Sequence, residues 1–252
     1  MLDLETIRPG QGEVVAARCL VQRLLKHYGR FFDALVADAI YLEGPFFNLC
    51  LDHGKHVLAV LKENNPALLA EARALLQGPP DWSGSQKDRR NQRQVRLWDQ
   101  EGFASESIRD PLRMLRSEEH WTQRKRIAGQ WVVEEKQSEW FWATTIPQEM
   151  IPARQLRQVG HERWSIENRV FNALGDWGLD HCFHHDPVAI ENFLLILFIA
   201  HALLSCFARR NLKGALATLT LHDVARRLLI GLGALSLHWR APWLPPRPHA
   251  PP

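Results

Sequence analysis

The sequence has few cysteines. There are four, Cys19, Cys50, Cys182 and Cys206, and no Cys-x-x-Cys pair. That scatter argues against a disulfide scaffold and against a zinc finger, and it fits a reducing cytoplasm. The start, MLDLETIRPG, lacks a basic leader and a long apolar core, so it does not read as a signal peptide. It reads instead as a strand already in progress. The longest apolar run, Phe193 to Ala208, falls short of the ~20 residues that a membrane span needs and contains His201 and Ser205. A buried core helix, and no membrane partner, is expected there. Internal repeats are absent, and so is a strong net charge, which is only +3.

What is present is an ordinary globular composition, 46% hydrophobic and 23% charged over 252 residues. That length is ample for a buried core in one large domain, or in one domain with an insertion. The positive charge is concentrated. From Lys87 to Arg126 there are 11 Lys/Arg against 7 Asp/Glu, a local balance of +4. A polyanionic partner and a solvated polar surface both account for this, and composition by itself favours the second.

The pattern along the chain predicts an α/β fold. After a Gly/Pro loop, Val14, Ala17, Val21, Leu24, Leu25 and Tyr28 recur at helical spacing. FDALVADAIY and HVLAVLK are apolar on both faces, as central strands covered by helices are. A helix near Pro45 to His53 separates them, and NPALLAEARALLQG has a helix start and a Gly stop. This alternation is that of an α/β layer structure. GPPDWSGSQKDRRNQRQ then reads as a basic, turn-rich linker. From Val95 to about Ile146 the runs are aromatic and β-branched, and predict antiparallel hairpins. Five of the ten tryptophans, Trp98, Trp121, Trp131, Trp140 and Trp142, fall in that segment. Most tryptophans in such a region belong to the core. Beyond Pro147 the chain returns to helix, over Arg154 to about Leu174, Pro187 to about Arg209, and LHDVARRLLIGLGAL.

Two acids stand where apolar residues belong. Winding residues 163–174 at 100° per residue places Trp164, Val170, Phe171 and Leu174 within about 60° of Glu167. Glu167 thus lies mid-stripe, with Arg163 one turn before it. An unpaired buried carboxylate is very costly, so it must be paired, protonated or metal-bound. An Arg163–Glu167 ion pair at i, i+4 and a functional role stand level on geometry. Asp38 ends an otherwise apolar strand, and ligands of open α/β sheets collect at strand carboxyl ends. Otherwise it is a cap or turn carboxylate. Asp38 and Glu167 together suit Mg²⁺, or Mn²⁺ in its place. Two such ions ~3.5–4 Å apart activate water and stabilise the leaving oxygen of a phosphodiester. Asp33 is on the opposite pleat face and is not expected to share the site. His181, Cys182, His184 and His185 lack a complete zinc ligand set and are expected in a loop before Pro187.

ADAIY, followed far downstream by RWSIENRVFNALGDWGLDHCFHHDPVAI, resembles the insertion-sequence transposases of the DDE superfamily. The signature RW-x-IEN-x-x-FN-x-L is similar to that of the branch with an all-β insertion between its second and third acids. The likeness runs from about Met1 to Lys213. It implies an RNase H-like core, divalent metal, nicking of DNA at transposon ends and joining to a target, with a homodimer acting on paired ends. By position, Asp38 is similar to the second acid and Glu167 to the third, 129 residues apart. Arg163 and Asn168 of the signature would lie toward DNA. A tyrosine of the family signature falls at Gly160, and a basic residue beyond it at Gly175.

The resemblance also implies a gap. Only 37 residues precede Asp38, and the family's first acid has no clear counterpart among them; Asp3 and Glu5 are poor substitutes. The chain therefore reads as a truncated, catalytically impaired transposase whose RNase H-like α/β core is incomplete, lacking its first strands. It would comprise a partial core over 1–78 and a basic β-rich insertion over 79–147. The helical part of the core follows over 148–213, a C-terminal helix over 214–238, and a disordered Pro-rich tail over 239–252. Insertion residues Lys87, Arg89, Arg90, Arg93, Arg124, Lys125 and Arg126 would follow the DNA backbone. The alternatives are a DNA-binding remnant without catalysis and a poorly folding fragment.

Overall fold

Two short apolar strands begin the sheet. In the computed structural model, which describes residues 3–88, 91–127, 130–165, 170–175, 177, 179 and 186–238, β1 (Ala34–Ala37) pairs in parallel with β2 (His56–Val60). The chain divides into two compact units, residues 2–166 and residues 167–252 with Met1. In the first unit, α1 (Glu13–Tyr28), α2 (Gly44–Asp52) and α3 (Pro66–Leu75) alternate with β1 and β2. Then come β3 (Trp82–Asp88), β4 (Asn91–Phe103), β5 (Leu112–Ile127), β6 (Gln130–Thr144) and α4 (Ala153–Ser165).

The antiparallel strands do not form a sheet of their own. β6 pairs with β2 through Leu58–Thr144, Ala59–Ala143 and Val60–Trp142, giving one mixed sheet in the order β1-β2-β6-β5-β4-β3. Thr144 reinforces the junction by donating its hydroxyl to the Val57 carbonyl at 2.7 Å. The basic stretch expected to be a linker is itself strand: β3 and the start of β4 occupy it. Ser83, Ser85 and Lys87 are exposed there, and the stretch carries no apolar alternation. A bulge between Gln100 and Phe103 shifts the β4–β5 register, and Gly102 sits there at a φ of +95°, which favours glycine.

The sheet is covered on both sides. Leu35 and Ala37 face the core shared with α1, α2 and α3, around Phe47, Val57, Leu69 and Met114. Ala34 and Val36 face a second core of Leu58, Val60, Leu115, Trp142 and Leu156, closed by α4. The doubly apolar pattern thus reflects two covered faces. Of these two strands only β2 is interior to the sheet, however, and β1 is an edge among the described residues.

Two expectations change. Residues 3–8 are not strand, because Arg23 of α1 grips them. Its guanidinium donates to Asp3 at 2.9 Å, to the Leu4 carbonyl at 2.7 Å and to Glu5. In the second unit, α5 (Asn172–Gly175) precedes α6 (Pro187–Asn211) and α7 (Leu221–His238). Asp186 caps α6 by accepting from the Ala189 amide at 2.9 Å. With this cap α6 reaches 25 residues, which is long and apolar enough to cross a membrane by length and composition. Nor is it a fully buried helix: Leu197 is buried, but Ile196, Ile199 and Leu203 are exposed. The tail expected over 239–252 lies outside the described residues.

A buried arginine holds the approach to α4. Arg113, 2% exposed, makes a two-pronged pair with Asp99 at 2.7 and 2.8 Å. Its remaining nitrogen donates to the carbonyls of Pro147 at 3.1 Å and Ile151 at 2.9 Å. Replacing Arg113 with Ala strands Asp99 and these carbonyls. Urea unfolding should show a loss of about 3–5 kcal/mol, the range for breaking a buried pair from one side.

Candidate functional site

Asp38 follows β1 directly, at the carboxyl ends of the two parallel strands. It caps a short 3-10 turn over Ala39–Tyr41, its Oδ1 accepting from the Ala39 amide at 2.8 Å. The side chain is 40% exposed, so water reaches it. Two cations flank it. Lys62, just beyond β2, places its Nζ 3.9 Å from Oδ1, and Arg163 of α4 places a guanidinium nitrogen 3.8 Å from Oδ2. The cap reading of Asp38 is therefore correct locally, and it coexists with an open carboxylate between two cations. Asn64 fixes the same turn by donating to the Ala39 carbonyl at 2.7 Å. Beside it runs a groove of about 640 Å³ whose lining includes Lys62, Arg73, Glu139 and Trp140. Tyr41 donates to Glu13 at 2.7 Å, and burial together with that carboxylate raises the phenol's pKa.

The earlier acids are engaged elsewhere. Asp3 and Glu5 are held by Arg23. Asp33 sits at the amino end of β1, opposite Asp38, with Lys55 at 3.9 Å.

What aims α4 at Asp38 is a buried carboxylate. Glu119 of β5 is 0% exposed. Arg93 of β4 donates to it at 2.7 Å, Arg157 of α4 at 2.8 Å, and His161 of α4 lies 2.7 Å away. Ser117 adds a hydroxyl at 3.1 Å, and Arg157 reaches on to Gln86 of β3 at 2.6 Å. Burial alone would raise the carboxyl's pKa. His161, Arg157 and Arg93 reverse that and hold it at about 2.

Aromatic rings complete the seat of α4. Trp140 stacks on Trp142 at 5.9 Å, and His161 meets both edge-on. Trp164 closes on Trp140 at 5.8 Å. Gly160 is where helix and ring come closest: a Cβ there would lie 2.6 Å from Trp142 Nε1. The Trp142 indole thus fills the space that a side chain at position 160 would need.

The predicted residues divide. Asp38 and Arg163 are brought together, and Arg163 is 13% exposed. Glu167, Asn168, Arg89, Arg90 and the cluster His181, Cys182, His184 and His185 lie outside the described residues. Lys87 is exposed on β3, and Arg124, Lys125 and Arg126 are exposed near the far end of β5. Arg93 turns inward, to Glu119 and over the Trp121 ring at 4.2 Å. The sequence reading missed Lys62 and the partnership of Glu119, Arg157 and His161. In the structure Glu119 shares a pleat face with Arg113, Leu115 and Ser117, all buried, but the alternating charges of β5 do not distinguish it from Glu118.

The transposase DDE domain family matches residues 7–203. The chain belongs to that family. No curated protein matches it. Membership in the DDE transposases brings DNA transposition as the general activity, DNA as the partner and a divalent metal as the usual cofactor. Asp38 fits the last as one donor, a hard carboxylate oxygen, water-accessible, at a strand end. No cluster of three or more His, Cys, Asp or Glu suited to a metal occurs among the described residues.

Two outcomes test this geometry. Glu119→Gln leaves Arg157 and Arg93 without their anion, and should cost about 3–5 kcal/mol in chemical unfolding. Because the folded pKa lies below the ordinary 4.5, the stabilisation is complete above pH 4.5 and is lost as pH falls through about 2. The wild type should therefore weaken over that acid window, and the variant should show a shallower slope there. Gly160→Ala forces a methyl group against a buried indole and should cost about 1–3 kcal/mol, read as a lower melting temperature.

Proposed function

We propose that this DDE transposase belongs to the insertion-sequence branch with an all-β insertion between its second and third acids. Asp38 is the second acid and Glu167 the third, on an RNase H-like core. Residues 79–147 would be the insertion and residues 148–213 the helical part of the core. The observation that carries this reading is Asp38, an open carboxylate at the ends of parallel strands, with the signature residue Arg163 at 3.8 Å. Asp38 and Glu167 would hold Mg²⁺ or Mn²⁺, which when bound activates water and stabilises the leaving oxygen of a phosphodiester.

The chain's own residues bind and orient the substrate. Arg163 and Lys62 place positive charge where a phosphate would approach Asp38. The groove beside Asn64 and Trp140 gives the backbone a path. Lys87, Arg124, Lys125 and Arg126 extend the positive surface along the insertion, and two copies would act on paired ends. Strand cleavage is impaired in this reading, because Asp3 and Glu5 are committed to Arg23 and leave Asp38 without a first acid from that segment.

The flanking cations favour a second reading, in which the chain binds DNA without cutting it. Two positive groups, Lys62 and Arg163, lie within 4 Å of one carboxylate, an arrangement that would draw phosphate without metal.

Incubation of the purified chain with supercoiled duplex DNA in Mg²⁺, Mn²⁺ or EDTA separates these readings. Catalysis predicts weak metal-dependent nicking, abolished by Asp38→Asn and by Glu167→Gln. Metal-independent binding with no nicking would establish the second reading and exclude the first.

A further inference from the structure

The far ends of β5 and β6 leave the rest of the sheet. β4 accompanies β5 only as far as the Gln94–His120 pair. Beyond it β5 and β6 continue alone, from Trp121–Lys136 to Ile127–Gln130. At ~3.4 Å per residue this two-stranded ribbon projects roughly 20 Å.

The residues it carries are unusual for a free ribbon. Arg124 lies opposite Val133 and Arg126 opposite Trp131, and pleating puts these four on one face. Lys125 and Val132 are opposed on the other face. Trp131 is 70% exposed and Val133 58%. Arg124, Trp131 and Val133 line a shallow depression of about 290 Å³. Of the ribbon's acids, Glu134 is answered by Lys136 at 2.8 Å, which lowers the pKa of its carboxyl. Lys125 also lies near enough to lower it, and the end of the ribbon carries three consecutive exposed cations, Arg124, Lys125 and Arg126.

An arm that merely lay along one DNA strand would need cations on one face only. This one presents a cation and an apolar side chain on each face, which suits a slot with phosphate on both walls and base edges on its floor. The major groove of B-DNA is ~12 Å wide and admits a two-stranded ribbon, whereas the minor groove, at ~6 Å, does not.

Building on the reading that the chain acts on DNA, we propose that the β5–β6 ribbon enters the major groove of duplex DNA. Arg124 and Lys125 lie toward opposite phosphate walls, and Trp131 lies against base edges or thymine methyl groups.

The test uses the full chain in EDTA, so that binding is read apart from cleavage. The probe is a short mixed-sequence duplex, with binding followed by fluorescence anisotropy against salt. Dimethyl sulfate then reports guanine N7 in the major groove and adenine N3 in the minor groove. The wild type should shield N7. The Arg124→Gln/Lys125→Gln double variant should lose that shielding, and its salt slope should fall by about 2, one unit per phosphate contact. Trp131→Ala should bind about tenfold more weakly at an unchanged slope, the scale of one good base-edge contact. All these side chains are exposed, so melting temperatures should match the wild type.

Unchanged shielding in the variants overturns the proposal. So does shielding of adenine N3 alone, or a reduced salt slope with N7 never shielded. Failure of the wild type to bind any duplex overturns the DNA reading with it. N7 shielding by a chain that does not nick in Mg²⁺ supports the ribbon while removing the catalytic reading.

Discussion

Glu119 is a charge with no exposed surface, and the placement of α4 depends on it. A carboxylate moved out of water without partners costs several kcal/mol, so it must be surrounded by donors. Its donors come from different elements: Arg93 from β4, Ser117 from β5, and Arg157 and His161 from α4. Arg157 carries the connection on to Gln86 of β3. One acid therefore joins three strands to one helix. An apolar cluster of equal volume would stabilise as well, but it would let α4 slide or turn. Directed hydrogen bonds from Arg157 and His161, one turn apart, allow one rotation and one height. That rotation puts Arg163 beside Asp38.

A second clamp, nearer the start of α4, works to the same end. Arg113 holds the chain between β6 and α4 by its carbonyls while pairing with Asp99. Within the Glu119 clamp, between Arg157 and His161, Gly160 lets the helix lie flat on Trp142, which is itself stacked on Trp140. The helix is thus held both at its approach and along its middle, and His161 joins the Glu119 clamp to the tryptophan stack. A change in any one of these groups should alter the approach of Arg163 to Asp38 without touching either residue.

Much of this was legible in the sequence, for identifiable reasons. The doubly apolar runs at 34–37 and 56–60 announced covered strands, because burial on both faces leaves no room for alternation. Asp38 was conspicuous because it ended such a run. The departure at Gly160 was visible, but its physical setting was not: Trp142 is distant in sequence and meets Gly160 only when β6 and α4 pack. Glu119 was hidden among alternating charges on β5, where Glu118 and Glu119 look equivalent. Pleating sends Glu118 to Arg96 and Arg116 near the surface, and Glu119 into the interior. Arg93 misled for the same reason. A basic segment does not declare which of its cations are already spoken for. β3 was missed because its residues beyond Trp82 are polar or glycine and leave the hydrophobic pattern flat.

The sheet's continuity links the ribbon to Asp38. β6 runs as one strand from Gln130 to Thr144, and its pairing with β5 keeps one register throughout. At ~3.4 Å per residue it spans on the order of 50 Å. Trp131 lies near one end, and Trp142, beneath α4, near the other. The β-bulge at Gln100–Phe103 bends the β4–β5 pairing and leaves β5–β6 undisturbed. A duplex seated on the ribbon is thereby referred to Asp38 through paired strands, without an intervening hinge. The distance between the point of DNA capture and the carboxylate is then set by the length of β6. Inserting two residues into both strands of the ribbon would preserve pleat and pairing, yet move the captured duplex by about two residue rises relative to Asp38.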